Sequence, residues 1–185
     1  MKHSLVKDTI IQTASDLFYR NGYNLTGINE IIKEAGIAKA TLYNHFQSKE
    51  EICLAYLEHK NTTFLTQISA YANSAPHGKD QLLALFDFLT VFFDGTDFNG
   101  CWCIRTVAEI PADNVKIRAE IQKQKNDFLK LIEGLVMVNL ESVQDSDLIA
   151  KQVYLLYEGA VAESHLHQNA WPIASARQMC DQILN

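Results

Sequence analysis

The sequence predicts an all-α protein, and three observations carry the prediction. Apolar residues recur at three- and four-residue spacing along most of the chain. No segment sustains the alternation of a half-buried strand, and helix breakers are scarce, with 8 Gly and 3 Pro in 185 residues. Helical periodicity with few breakers is the pattern of a compact helical protein. A composition of 48% hydrophobic and 21% charged residues excludes a disordered chain.

The elements follow in order. Ile10, Ala14, Leu17 and Phe18 form the buried stripe of a first amphipathic helix, with Lys7, Asp8, Gln12, Asp16 and Arg20 on its other faces. Asn21-Gly22 ends it, because both residues tolerate a left-handed helix terminus. Thr26 is expected to cap a second helix, whose buried stripe is Ile28, Ile31, Ile32 and Ala35, and Gly36 closes it. Leu42, Tyr43 and Phe46 follow so soon that a very short third helix must leave at a sharp angle. Ser48 opens a fourth helix with Glu51 completing an S-x-x-E capping box, then Ile52, Leu54, Ala55 and Leu57, running to about Ala72.

Ser74-Ala75-Pro76-His77-Gly78 is the clearest break in the chain. Leu82 to Phe93 is apolar on nearly every side, as in a helix buried at the centre of a domain. Asp94 to Gly100 reads as loop, and Pro111 stops the short helix after it. Amphipathic stretches from Asp113 to about Glu141 and from Asp147 to about His167 come next, and Pro172 opens a last helix to Leu184.

Charge and motif content narrow the function. The net charge of -6 argues against a nucleic-acid partner until its distribution is considered: up to Lys60, seven Lys and Arg balance seven Asp and Glu, so the later chain carries the whole deficit. No apolar run reaches the roughly 18 residues of a membrane span, and Met1 to Leu5 does not open a signal peptide, so no membrane partner and a cytoplasmic location are expected. Cys53, Cys101, Cys103 and Cys180 make neither a disulfide framework nor a C-x-x-C zinc pair. The chain lacks a G-x-S-x-G elbow, a Walker loop, a Rossmann glycine pattern and an H-E-x-x-H helix, which argues against an enzyme, and no cofactor is expected.

The most informative segment is Thr26 to Ile52, TGINEIIKEAGIAKATLYNHFQSKEEI. Leu42 and Phe46, four apart, share a face that packs on the first two helices and holds the third rigid. Lys39, Ala40, Thr41, Tyr43, Asn44 and His45 are left for the exposed side. Near the helix start Lys39 suits a phosphate or a guanine edge, and Asn44 has the donor and acceptor that match adenine. Small Ala40 allows close approach to a groove, where its methyl or that of Thr41 meets a thymine methyl.

This segment resembles the DNA-binding domain of the tetracycline-repressor (TetR) family: a helix, a Gly-containing turn, a recognition helix with Leu42-Tyr43-Asn44-His45-Phe46, then Ser48-Lys49-Glu50-Glu51. With the first helix, the resemblance covers Lys7 to about Ile52. It implies phosphate contacts from Tyr43 and His45, with Lys49 and the N–H groups at its helix start as a charged anchor, and a capping and phosphate role for Thr26. Ala38 departs from the Ser or Thr often found before the recognition helix, removing a cap worth about 1 kcal/mol, and Gly27 is a poor helix former at the start of the second.

The resemblance further implies a helix-turn-helix DNA-binding domain over residues 1–50 and a helical ligand-binding and dimerisation domain over 51–185. The protein it implies is a homodimeric repressor, released from a palindromic double-stranded DNA operator by a small-molecule effector. The last two helices would pair with those of a second subunit as a four-helix bundle, and the small run Gly159-Ala160-Val161-Ala162 independently suits close helix approach, across an interface or within one subunit. Phe86, Phe93, Trp102, Phe128, Tyr154 and Tyr157 either line a pocket for a mostly apolar effector or form plain core. Cys101 and Cys103 lie in the unusual stretch Asn99 to Arg105; Cys101, beside a helix start and near Arg105, is a reactive thiol or an inert buried one. Arg105 and Glu109 are spaced to pair on the helix surface, and Glu163 and His167 share a face without a third metal ligand, so no metal is expected. The competing readings are an enzyme and a protein-binding regulator whose helix-turn-helix has lost DNA binding.

Overall fold

The structure is a computed structural model that describes residues 2–95, 98–140 and 145–185. Among the described residues there are nine helices and no strand: α1 (Lys2–Asn21), α2 (Ile28–Glu34), α3 (Lys39–Tyr43), α4 (Lys49–Ser74), α5 (Lys79–Asp94), α6 (Trp102–Glu109), α7 (Val115–Asn139), α8 (Ser146–His167) and α9 (Trp171–Ile183). The all-α prediction holds. The expected reach of the seventh helix to Glu141 falls outside the described residues.

Contacts divide the chain into two compact units. One unit runs up to Thr63 and includes Trp102–Lys123; the other comprises Phe64–Cys101 and Gln124–Asn185. The α6 helix and the start of α7 therefore belong with the first helices, while α4 and α7 supply residues to both units.

In the first unit the buried stripe of α1 is the expected one, with Ile10, Ala14, Leu17 and Phe18 all buried. They share the unit with buried Ile31, Leu42, Phe46, Ile52, Tyr56 and Leu57, and the rings of Phe18 and Tyr56 lie 5.5 Å apart. The start of α2 corrects the sequence expectation. Gly27, not Thr26, is the N-cap, with extended backbone angles, and the Glu30 carboxylate accepts a 3.3 Å hydrogen bond from its N–H. The Thr26 hydroxyl turns the other way and donates 2.8 Å to the carbonyl of Gly22, which satisfies an acceptor at the end of α1. At α4, the Ser48 hydroxyl accepts from the Glu51 N–H at 3.2 Å, as a cap should, but the Glu51 carboxylate reaches past it to the N–H of Gln47 at 2.7 Å.

In the second unit α5, α8 and α9 pack on one another around Leu82, Leu85, Phe86, Leu89, Val153, Tyr157, Ile173 and Ala176. The α5 helix begins at Lys79, a turn earlier than its apolar run, because Asn139 holds both sides of that turn: its Oδ1 accepts from the Gly78 N–H and its Nδ2 donates to Gln81 Oε1, each at 2.8 Å. A two-pronged ion pair from Arg177 to Asp87, at 2.7 and 3.1 Å, and the Lys79–Asp181 pair at 2.8 Å tie α9 to α5.

Candidate nucleic-acid interface

The α2–α3 connection is built by backbone hydrogen bonds. The N–H of Ala35 bonds to Ile31 O at 2.9 Å, that of Gly36 to Lys33 O at 3.1 Å and that of Ile37 to Ile32 O at 3.2 Å. Gly36 sits at φ +64°, a left-handed conformation that costs a residue without a Cβ nothing and turns the chain out of α2. Ala38 then caps α3 with no side-chain hydrogen bond, as its missing hydroxyl requires.

The α3 helix has only five residues, extended by a final turn in which His45 N and Phe46 N both bond to Leu42 O at 2.9 Å. Such a helix cannot hold itself in water. Leu42, at 0% exposure, and Phe46, at 4%, pin it to the core, and the Lys7 ammonium stands 5.8 Å from the Phe46 ring centre. The opposite side presents Lys39, Ala40, Tyr43 and Asn44 to solvent, with Thr41 and His45 half-buried beside them. The structure thus brings together six of the eight sequence-predicted DNA contacts on one short helix and its continuation.

The other two sit differently. Lys49, half-buried, lies at the start of α4, its ammonium 4.4 Å above the centre of the Tyr23 ring and a long 3.5 Å from the carbonyl of Asn24. Burial holds its pKa below the ordinary lysine value, while the neighbouring Cys53 and Glu109 pull it upward. Thr26 is fully buried, so its side chain is not placed to touch a phosphate.

Sequence reasoning missed Glu109. It expected this residue to face Arg105, but the carboxylate accepts a 2.7 Å bond from the N–H of Asn24, and its backbone carbonyl accepts a 2.8 Å bond from the Asn24 amide. These partners lie 85 residues apart, and no local spacing announces them.

The predicted effector residues divide between the two units. Trp102 and Cys103 fall in the first, Cys103 buried at 2% exposure. Phe86, Phe93, Cys101, Phe128, Tyr154 and Tyr157 fall in the second. There Tyr157 packs on Phe86 at 5.8 Å and on Phe128 at 4.8 Å between ring centres, Phe128 lies 6.0 Å from Tyr154, and the overlooked Phe64 stands 5.1 Å from Phe128. Phe93 meets Phe98 at 5.2 Å, and both pack against the same core. Glu163 and His167 approach to 3.3 Å, and among the described residues no three His, Cys, Asp or Glu are placed to share a metal ion.

A short helix with a polar face, pinned by Leu42 and Phe46 to the core after a glycine turn, defines a DNA-binding regulator of the helix-turn-helix class. Comparison with known proteins agrees. The family model for bacterial regulatory proteins of the tetR family matches residues 10–56. The fatty acid metabolism regulator protein of Bacillus subtilis is 25% identical over 133 residues, covering 72% of this chain and 67% of that protein. The HTH-type transcriptional repressor NemR of Escherichia coli K12 is 21% identical over 181 residues, covering 92% and 89%. Among solved structures, SCO4454, a TetR-family transcriptional regulator from Streptomyces coelicolor, superposes with a TM-score of 0.88 at 25% identity, covering 98% of this chain and 95% of that one. Reduced Escherichia coli NemR shares the fold, with a TM-score of 0.87 at 21% identity over 97% and 98% of the two chains. Residues 10–56 match the tetR family, and the chain is a DNA-binding transcriptional regulator.

Proposed function

We propose that the protein is a homodimeric repressor that leaves a palindromic operator when a small-molecule effector acts on its later helices. The observation that carries the dimer is an unpartnered stripe on α8. Leu148 (52% exposed), Leu155 (67%) and Leu166 (71%) lie along it with exposed Gly159 and Ala162, at alternating three- and four-residue steps once Gln152 is included. A Cβ added at Gly159 would meet no atom within 4 Å, so its small size serves no packing inside this chain. Exposed Trp171 and Met179 extend the apolar surface onto α9. A helix exposing leucines at coiled-coil spacing wants a partner helix, and a second copy of α8 and α9 supplies one with two-fold symmetry.

Two-fold symmetry places two α3 helices to read two half-sites, which makes the operator palindromic. In this reading residues 1–50 bind DNA, residues 51–185 regulate and dimerise, and the protein works where the chromosome is, in the cytoplasm, as a regulator and not as an enzyme. No helix among the described residues is long and apolar enough to cross a membrane. The test is a gel shift with a duplex from the region upstream of its own gene, against a scrambled duplex of equal length. Equal affinity for both refutes the operator reading.

Release through an apolar pocket among Phe86, Phe93, Phe128, Tyr154 and Tyr157 is one route; the effector would have to bind better to the arrangement that no longer matches the groove spacing. One observation favours a second route. The half-buried Cys101 sulfur accepts a 3.1 Å hydrogen bond from the Lys125 ammonium, which also pairs with Glu158 at 2.5 Å. A cation beside a sulfur stabilises the thiolate, the form that reacts with electrophiles and oxidants. Substituting Cys101 and Cys103 with serine separates the routes. Loss of every inducer response with DNA affinity intact assigns the sensor to the thiols, and retained response assigns it to the pocket.

A further inference from the structure

We propose that Glu109 is a positioning residue for DNA binding: from the end of α6 it clamps the α1–α2 turn and through it holds Lys49 at the phosphate backbone. The clamp has three parts. The Glu109 carboxylate takes the Asn24 N–H at 2.7 Å. Its backbone carbonyl, one of those left without a helical partner where α6 ends before Pro111, takes the Asn24 side-chain amide at 2.8 Å. The same carboxylate rests on the backbone of Gly22, so closely that a Cβ there would lie 2.4 Å from Oε1.

Asn24 is therefore held at both its backbone and its side chain by one residue of another helix. Its remaining backbone group, the carbonyl, faces the Lys49 ammonium at 3.5 Å, and Tyr23 beside it places its ring 4.4 Å beneath the same ammonium. Lys49 thus has its position set by two consecutive turn residues, and the turn has its position set by Glu109. An exposed turn without such an anchor samples many conformations, and a lysine resting on it loses its fixed distance to a phosphate. The charge of Glu109 opposes phosphate binding at short range, so its presence beside a DNA-binding lysine is explained by geometry and not by charge.

The inference rests on Lys49 contacting phosphate, and the experiment separates the two. Affinity for a random-sequence duplex is measured between 50 and 200 mM salt for wild type, Lys49→Ala, Glu109→Ala, Asn24→Ala and Glu109→Gln, each checked for folding by its thermal melt. Lys49→Ala should lower the salt slope by about 0.9, one phosphate contact. Glu109→Ala should weaken binding about three- to tenfold and lower the slope in the same direction, and Asn24→Ala, on the exposed turn, should do so more mildly. Glu109→Gln keeps the acceptor oxygen and should bind within about twofold of wild type. If Lys49→Ala leaves the slope unchanged, the phosphate contact fails and the clamp with it. If Lys49→Ala lowers the slope while folded Glu109→Ala and Asn24→Ala bind as wild type, the clamp alone fails. Glu109→Gln falling as far as Glu109→Ala also overturns it.

Discussion

Replacing Leu155 with alanine tests the proposed dimer at its centre. Leu155 is 67% exposed in the single chain, so about two-thirds of the 1.5–3 kcal/mol that full burial of a leucine contributes is available only to a partner, about 1–2 kcal/mol. Two-fold symmetry makes every substitution count twice, which raises the loss to about 2–4 kcal/mol and the dimer dissociation constant by about 30- to 1,000-fold. The single chain should be almost indifferent, because the residues that α8 uses internally, Val153, Tyr157, Ala160 and Val161, are on the other side. Sedimentation equilibrium over a range of protein concentrations reads the constant, and far-UV circular dichroism confirms the retained fold. Gly159→Phe should act more severely by holding the two helices apart. A wild-type chain that stays monomeric at micromolar concentration, or a Leu155→Ala variant with an unchanged constant, refutes the reasoning.

Tyr43→Ala should weaken binding to operator and random duplex alike, as a backbone contact does, whereas Lys39→Ala or Asn44→Ala should relax base preference at one or two positions by about 1–3 kcal/mol each; base-by-base competition gel shifts that show the same profile in all three variants would contradict this division. Thr26→Ala leaves the Gly22 carbonyl without its 2.8 Å donor and should lower stability by about 1–3 kcal/mol in urea melts, with the salt slope of DNA binding unchanged; a lowered slope would mean that the hydroxyl meets a phosphate after all. Burial pushes the thiols of Cys53 and Cys180 up to about 12, so both stay protonated at ordinary pH. Iodoacetamide at pH 7.5 should therefore label Cys101 first in the native protein and all four cysteines in denaturant, read by mass spectrometry of tryptic peptides; equal native labelling of Cys53 or Cys180 would show that the packing around them opens.

The helices and the DNA-binding face were legible in the sequence because both rest on local rules. Ile10, Ala14, Leu17 and Phe18 are buried together since a helix repeats every 3.6 residues, and Leu42 and Phe46 bury one side of α3 by the same spacing, which alone decides that Lys39, Ala40, Tyr43 and Asn44 face outward. The glycine turn at Gly36 was legible because a left-handed backbone has few occupants. Tertiary structure decided what depends on residues far apart in the chain. One local choice also escaped the sequence: Thr26 is a preferred N-cap type, yet its hydroxyl donates to the carbonyl of Gly22, four residues back. Glu109 sits four residues after an arginine, yet its carboxylate serves Asn24, 85 residues away. Cys101 stood out in the sequence by its helix start and nearby Arg105, but the cation at its sulfur is Lys125, which α7 brings from 24 residues away. Periodicity reports which side of a helix is buried; it says nothing of which neighbour arrives there, and a polar side chain takes its partner from that neighbour.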